Sequence, residues 1–257
     1  MTSACARSAP RIGWVWPCAL ACVALATPSP APVLHAQGAS PATISASALP
    51  YKPEPPLDSY VALRRLESIN ERHNKTGYLV VRTCLQDGAF TWNVLEEGGS
   101  ELIRKRVLRE TLEKEAQIHR EGLARRGGLT DDNYTFTLPS PVDGGVRVGI
   151  EPRKREDMLV KGAMWLSPEG TLLRVEGDLV KRPSFWTKSV HLIRQYGRVD
   201  GTHVPLRLDI EAQVRLVGTS RLSMTYRYLE INGRPVQDAG NETSLLTRAS
   251  SVRAPSQ

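Results

Sequence analysis

The sequence has few of the residues that carry covalent cross-links or enzyme chemistry. Its 257 residues include four cysteines, three phenylalanines and five histidines. No histidines stand at a metal-ligand spacing such as H-E-x-x-H, no G-x-S-x-G nucleophile elbow occurs, and Gly144-Gly145 lacks the Lys-Ser/Thr of a phosphate loop. We therefore predict no catalytic residue, no metal and no cofactor. The protein is expected not to be an enzyme, and a hydrolase is the enzymatic alternative.

Acidic residues are absent from the first 53 positions. Two arginines there precede an apolar run, residues 14–26, that is shorter than the roughly 20 residues of a comfortable membrane span. The pattern predicts a signal peptide over residues 1–36, cleaved after about Ala36 or Ala26, and export to the periplasm. Lipid anchoring at Cys22 is the less favoured alternative, because the usual aliphatic residue three places before the cysteine is missing.

The chain is basic, with 34 Lys and Arg against 27 Asp and Glu and a formal net charge of +7. In an exported protein without an aromatic-rich basic motif, this excess does not indicate nucleic acid. Anionic lipid headgroups are a more suitable partner. We therefore expect a membrane surface or a membrane protein as a possible partner, and no nucleic acid.

Composition divides the remainder of the chain into three parts. Residues 37–56 are rich in Ala, Ser and Pro, which predicts a linker. Residues 57–234 are expected to form one domain, and residues 235–257 a flexible polar tail. Cys84 lies in a strand-like run of that domain and is expected to be a small buried side chain.

Strand signals dominate the predicted domain. The clearest run, residues 203–216, alternates apolar residues from Leu206 onward with charged and polar ones, so one face is buried and the other wet. Turn signals such as Asp87-Gly88 and Asp200-Gly201 join similar runs into antiparallel hairpins. The predicted strands are residues 78–85, 90–95, 133–138, 146–150, 158–166, 171–179, 190–196, 203–216 and 222–228.

Two helices are predicted beside the strands. Asp58 or Ser59 can cap a short helix that ends near Asn70, in which apolar residues recur every third position. A longer, heavily charged helix is predicted over residues 102–125, with a narrow apolar stripe that includes Leu108 and Leu112. The pattern does not decide whether this helix lies across the sheet as a lid or packs outside it.

These elements predict an α+β fold, a strongly curved antiparallel sheet of about nine or more strands that forms an open half-barrel. The long helix and the short N-terminal helix are expected to cover its concave side. Such a sheet can pack into a solid core or curl around a hydrophobic cavity. Adjacent bulky residues cannot all face inward from a regular strand, so some candidates must point elsewhere. The candidate cavity residues are Phe90, Trp92, Met164, Trp165, Phe185, Trp186, Met224 and Tyr226.

The order of these features resembles the LolA/LolB-like periplasmic lipoprotein-sorting superfamily, in an uncharacterised branch. The resemblance covers roughly residues 57–231 and none of its ligand-contacting residues can be transferred. The closest local match is Val148-Gly149-Ile150-Glu151-Pro152-Arg153-Lys154-Arg155, followed by Lys161-Gly162-Ala163-Met164-Trp165-Leu166, Arg174-Val175-Glu176-Gly177 and Pro183-Ser184-Phe185-Trp186.

This resemblance implies an open, curved sheet whose hollow holds a lipid acyl chain or an acylated protein. The expected function is therefore a non-enzymatic lipid or lipoprotein carrier in the periplasm. The alternative is a periplasmic regulatory or interaction protein of the same fold that has no transport role.

Overall fold

The structure, a computed structural model, describes residues 42–237 except 56, 125 and 186. The predicted signal peptide and most of the predicted tail lie outside the described residues. Within them, thirteen strands form one antiparallel sheet. The strands are β1 (Thr43–Ile44), β2 (Tyr60–Asn70), β3 (Lys75–Gln86), β4 (Ala89–Gly99), β5 (Tyr134–Thr137), β6 (Ser140–Val142), β7 (Gly145–Pro152), β8 (Val160–Leu166), β9 (Leu172–Leu179), β10 (Thr187–Val199), β11 (Thr202–Val214), β12 (Gly218–Ile231) and β13 (Arg234–Pro235).

The sheet is curved and does not close on itself. Its strand order is β1-β5-β7-β8-β9-β10-β11-β12-β2-β3-β4, with β6 beside β7 and β13 beside β12. The chain runs as a meander from β7 to β12, and β12 then pairs with β2. The predicted α+β class with an open antiparallel sheet is confirmed, and all nine predicted strands are present.

The predicted N-terminal helix is wrong, because residues 60–70 form strand β2. Alternate positions of β2 are buried, beginning with Tyr60 and Ala62 and including Arg64. An arginine on the inward face interrupts the apolar alternation in the sequence. The remaining apolar residues, which include Leu63 of the opposite face, then fall at a spacing of three that imitates a helix.

The long helix is present and runs from residue 101 to residue 120. It consists of α1 (Glu101–Ile103), a π-helical segment (Arg104–Arg109) and α2 (Glu110–Arg120). Its buried residues Ile103 and Leu108 are five apart, and a π turn brings positions i and i+5 to one face. Leu112 follows four residues later in ordinary α-helical geometry.

The helix packs on the inner face of the sheet and covers its β2–β3–β4 end. Leu108 and Leu112 belong to a hydrophobic cluster that includes Leu66, Leu79 and Met224. We call this the helix-side cluster. A second one, the far cluster, includes Phe136, Met164 and other residues of β5 and β7 to β9.

The chain joins the fold before the predicted domain boundary at residue 57. Strand β1 pairs with β5, residues Ala46–Ala48 form a 3-10 helix, and Leu49 is buried in the far cluster. Residues 43–55, which their composition assigns to a linker, therefore contribute a strand and core contacts. Alanine, serine and proline can be held in place by long-range contacts that composition does not reveal.

Candidate functional site

A cavity of about 620 Å³ is lined by residues from the end of the helix and from both clusters. This volume is within the range of small-molecule sites. Its wall mixes apolar and polar groups contributed by the segment before β2, by β9 to β11, by the end of the helix and by the loop that follows it. The polar and aromatic lining residues include Tyr51, Lys52, Glu54, His119, Arg194, Tyr196 and His203.

The polar residue with the most distinctive position is Arg194. Cross-strand pairing places it in one inward row that crosses eight strands. Every other member of the row is apolar and buried, whereas Arg194 is exposed and lines the cavity. The row reads Val148, Met164, Val175, Arg194, Leu208, Met224, Leu66 and Leu79.

Arg194 carries its charge into this hollow without an ion-pair partner. In the described part of the chain, no carboxylate oxygen lies within 4.0 Å of its guanidinium nitrogens. Desolvation by the walls of the hollow lowers its pKa, but the hydroxyls of Tyr196 and Tyr226 raise it, and the net direction is upward. The guanidinium is therefore a permanent cation in the hollow, available to an anionic group of a ligand.

Tyr196 and His203 form the polar wall beside Arg194. Their rings stack with centroids 5.3 Å apart. His203 donates from Nε2 to the carbonyl oxygen of Leu172, at 2.5 Å, so the opposite ring nitrogen is left as an acceptor when the imidazole is neutral. This wall offers hydroxyl and imidazole groups next to a fixed cation.

A partly buried ion pair joins the helix to the sheet next to the cavity. Arg64 of β2 is 2 % exposed and donates to both carboxylate oxygens of Glu115, at 2.6 and 3.0 Å. Aromatic rings surround its guanidinium, with centroids at 5.6 Å for Tyr60, 5.0 Å for Phe90 and 4.6 Å for Tyr226. This bidentate, ring-stacked geometry fixes the helix in register on the sheet.

His119 lies one turn beyond Glu115 and faces the cavity. Its imidazole stacks on Phe90 with ring centroids 5.6 Å apart. Burial lowers the pKa of His119, Glu115 raises it and Arg64 lowers it, and the net direction is downward. His119 is therefore the neutral form at pH 7 and adds no charge to the cavity.

The segment before β2 closes the remaining side of the cavity. The Lys52 backbone N–H donates to the Gly170 carbonyl oxygen at 2.9 Å, which ties this segment to the β8–β9 turn. Glu54 accepts from Arg198 at 2.5 Å, so its charge is already neutralised. Lys52 adds a second basic residue to the lining.

None of the seven predicted cavity residues that the structure describes lines this cavity. Phe90 and Met224 are buried in the helix-side cluster, and Trp92 and Tyr226 pack against it. Met164 is fully buried in the far cluster. The structure therefore brings four of the eight together, under the helix, where they form packed core around Arg64.

The remaining three predicted residues are elsewhere. Trp165 lies on the opposite face from Met164, between the guanidinium groups of Arg147 and Arg174, at 5.6 and 4.9 Å from its ring. Phe185 is 73 % exposed in the β9–β10 loop. Trp186 lies outside the described residues.

Sequence reasoning missed Arg194, Arg64 and the segment before β2. The available signal was a cation at an inward position of an otherwise alternating strand, as in the run from Val190 to Tyr196. A single interruption of this kind is ambiguous without the register, because a bulge reverses the face of every following residue. Register shifts do occur in β10, between Gln195 and Tyr196.

Two further observations bear on the site. Within residues 42–237, no cluster of three or more His, Cys, Asp or Glu side chains is arranged to hold a metal ion. None of the described helices has the length and apolar character needed to cross a membrane.

The fold and the cavity define a class, an open antiparallel sheet with one long helix packed on its inner face and a mixed apolar and cationic hollow beside it. Comparison with known proteins adds no identification, since no family model, no curated protein and no solved structure matches the chain.

Proposed function

We propose that the chain is a non-enzymatic binding protein for an amphipathic ligand, a lipid or an acylated protein with an anionic group, in the periplasm. The observation that carries the proposal is Arg194, an exposed cation at the centre of an apolar inward row. A carboxylate or phosphate held there would gain charge-assisted hydrogen bonds in surroundings of reduced polarity.

The apolar part of the ligand has a place in the same cavity. Leu57, Leu85, Leu129 and Leu172 contribute to the lining, around the polar wall of Tyr196 and His203. Each methylene transferred from water to such a surface stabilises a complex by about 0.8 kcal/mol. Affinity would therefore come from the apolar wall, and orientation from the cation.

The test compares two arginine variants. Arg194→Leu removes the cation and continues the apolar row, and Arg82→Leu removes an exposed arginine of β3 as a matched control. We expect Arg194→Leu to weaken the binding of a fluorescent long-chain fatty acid at least about tenfold, since hydrogen bonds to a charged group contribute about 1.5–3 kcal/mol. The corresponding neutral fatty alcohol should bind both variants alike.

Stability separates a binding arginine from a structural one. Arg194→Leu should leave the midpoint of urea unfolding unchanged or raise it, because leucine fits the row. A loss of stability together with unchanged fatty-acid binding would contradict the proposal. So would the absence of fatty-acid binding by the unaltered protein.

A regulatory or interaction protein without a transported ligand is the second candidate. It is favoured by the packing of Phe90, Met164 and Met224, which are 6 %, 0 % and 1 % exposed and lie inside the two hydrophobic clusters. Native mass spectrometry after purification from an exporting cell distinguishes the two candidates. A bound lipid supports the first, and a ligand-free protein that no fatty acid enters supports the second.

A further inference from the structure

The two ends of the strands carry opposite charge. Four connections lie at one end, because β12 begins beside the end of β2, β10 beside the end of β11, and β8 beside the end of β9. Together with the first residues of the strands that follow them, they contain nine basic and three acidic residues. We call this the basic end, and its connections are residues 71–75, 153–159, 180–188 and 215–217.

The turns at the opposite strand ends have the reverse composition. They contain four acidic residues and no basic one. The acids are Asp87, Asp143, Glu169 and Asp200. The basic end therefore has a net charge of +6, whereas the opposite turns have a net charge of −4.

Most of the cations at the basic end are not neutralised locally. Its three acids are each paired, Glu71 with Arg221, Glu156 with Lys154 and Asp157 with Lys181. Among the described residues, the other basic side chains of these loops have no carboxylate within 4.0 Å. They are Arg72, Lys75, Arg153, Arg155, Arg182, Lys188 and Arg215.

Large apolar side chains project from the same loops. Leu216 is 76 % exposed, Phe185 73 % and Val217 40 %. The two loops touch, because the guanidinium of Arg215 lies 4.7 Å from the centroid of the Phe185 ring. Exposed apolar side chains and cations without a carboxylate partner therefore occupy one continuous surface.

The conformation of Leu216 reinforces this arrangement. Its φ of 66° is in the left-handed region, where glycine, asparagine and aspartate are the ordinary residues and leucine is strained. Arg72 donates from Nη1 to the Leu216 carbonyl oxygen at 2.8 Å and holds the turn in place. The fold thus keeps an apolar side chain in water at a position where asparagine would be the easier choice.

We propose that the basic end docks the protein onto an anionic phospholipid bilayer. Cations are attracted to the negative surface potential, and side chains such as Leu216, Val217 and Phe185 can enter the boundary between headgroups and acyl chains. A lipid surface accepts both features together, whereas a purely acidic partner would use only the charge. The cavity opens near the opposite strand ends and is not blocked by this orientation.

The experiment measures co-sedimentation of the purified full chain with vesicles. Phosphatidylcholine vesicles are compared with vesicles that also contain phosphatidylglycerol, at low and at high salt. Arg182→Glu combined with Lys188→Glu reverses two exposed cations of the basic end, and Lys114→Glu with Arg120→Glu makes the same charge change on the exposed side of the helix. All variants contain the apolar run at residues 14–26, so any vesicle binding by that run is the same in each and does not affect the differences between them.

We expect binding to the anionic vesicles that salt reverses, and at least about tenfold weaker binding in the basic-end double variant alone. Leu216→Asn should weaken binding about fivefold while folding normally, since asparagine suits the left-handed position. Leu138→Asn, at a leucine outside the basic end that is 56 % exposed, should have no effect.

Three results would overturn the proposal. The first is that the protein does not bind the anionic vesicles, and the second is that both charge variants lose vesicle binding equally. The third is that the protein does not bind vesicles but self-associates in a salt-sensitive way or is retained on an acidic polypeptide. The last result would assign the basic end to a protein partner instead.

Discussion

At the scale of single residues, Gly170 holds one wall of the cavity in place. Its φ of +86° is in the region that favours glycine, and an added Cβ would lie 1.8 Å from the carbonyl oxygen of Pro50. The close approach allows the Lys52 N–H to reach the Gly170 carbonyl oxygen. The glycine is therefore needed both for its conformation and for the contact.

Gly170→Ala should lower the free energy of unfolding by about 3 kcal/mol, because alanine adds the contact with Pro50 to the strain of a positive φ. Gly201→Ala is the matched control, since Gly201 has a φ of +79° and no atom within 4 Å of an added Cβ. It should cost about 1 kcal/mol, from the dihedral strain alone. Urea unfolding measures both variants, and equal losses would contradict the role given to the Pro50 contact.

The pKa of His119 gives a second prediction for a single side chain. Burial lowers the pKa of His119 below its ordinary value of 6.5, so the folded protein favours the neutral imidazole more than the unfolded chain does. Its contribution to stability is complete above pH 6.5 and is lost as the pH falls through the lowered pKa. We expect the midpoint of urea unfolding to fall on acidification below pH 6.5.

In the variant His119→Gln the urea midpoint should fall less steeply below pH 6.5. His73→Gln, at an exposed position, should leave this fall unchanged. Protonation of carboxylates whose pKa values are lowered, such as Glu97 and Asp131, reduces the stability of both variants at lower pH. The difference between the two variants therefore isolates His119. Parallel curves would show that its protonation is not linked to folding.

At the scale of elements, the long helix is held by burial of one stripe and by ion pairs to the sheet, of which Arg64–Glu115 is the most buried. Leu112 is fully buried, and Leu102 at the start of the helix is 57 % exposed. Leu112→Ala should cost about 2–5 kcal/mol, from lost burial and the cavity left behind. Leu102→Ala should stay within about 0.5 kcal/mol of the unaltered protein. Similar losses in the two variants, measured by urea unfolding, would mean that the helix does not cover the sheet as described.

The ion pair between the helix and β2 makes a separate prediction. Glu115→Gln leaves the guanidinium of Arg64 buried without its counter-charge, and we expect a loss of about 2–3 kcal/mol. Glu110→Gln, at an exposed position paired with Arg106 at 3.7 Å, should change stability by less than about 0.5 kcal/mol. Denaturant titration of both variants checks this, and a neutral Glu115→Gln would show that other contacts hold the helix in register.

At the scale of the whole molecule, the arginines on the inner face of the sheet are separate from the cations of the basic end. Arg194 and Arg64 lie on the inner face, next to the cavity and under the helix. The unpaired cations of the basic end are in the loops where β2, β7, β9 and β11 end. Ligand binding and surface docking would therefore use separate parts of the same sheet.

The amino-acid sequence by itself determined nine of the thirteen strands that the structure describes. Alternating side chains and turn signals such as Asp87-Gly88 are local properties, and a strand of this kind has one stable choice of which face to bury. The stripe of the long helix is local in the same way. The prediction from sequence was wrong where a cation occupies an inward position, since Arg64 interrupted the alternation and made β2 resemble a helix.

Only the tertiary structure decided which residues form the site. Strand register placed Arg194 among apolar partners, and long-range pairing brought the segment before β2 to the cavity wall. It also moved Phe90 and Met224 from the expected hollow into the packed core beneath the helix. These outcomes depend on contacts between residues far apart in the chain, and the alternation within a single strand carries no information about its neighbour.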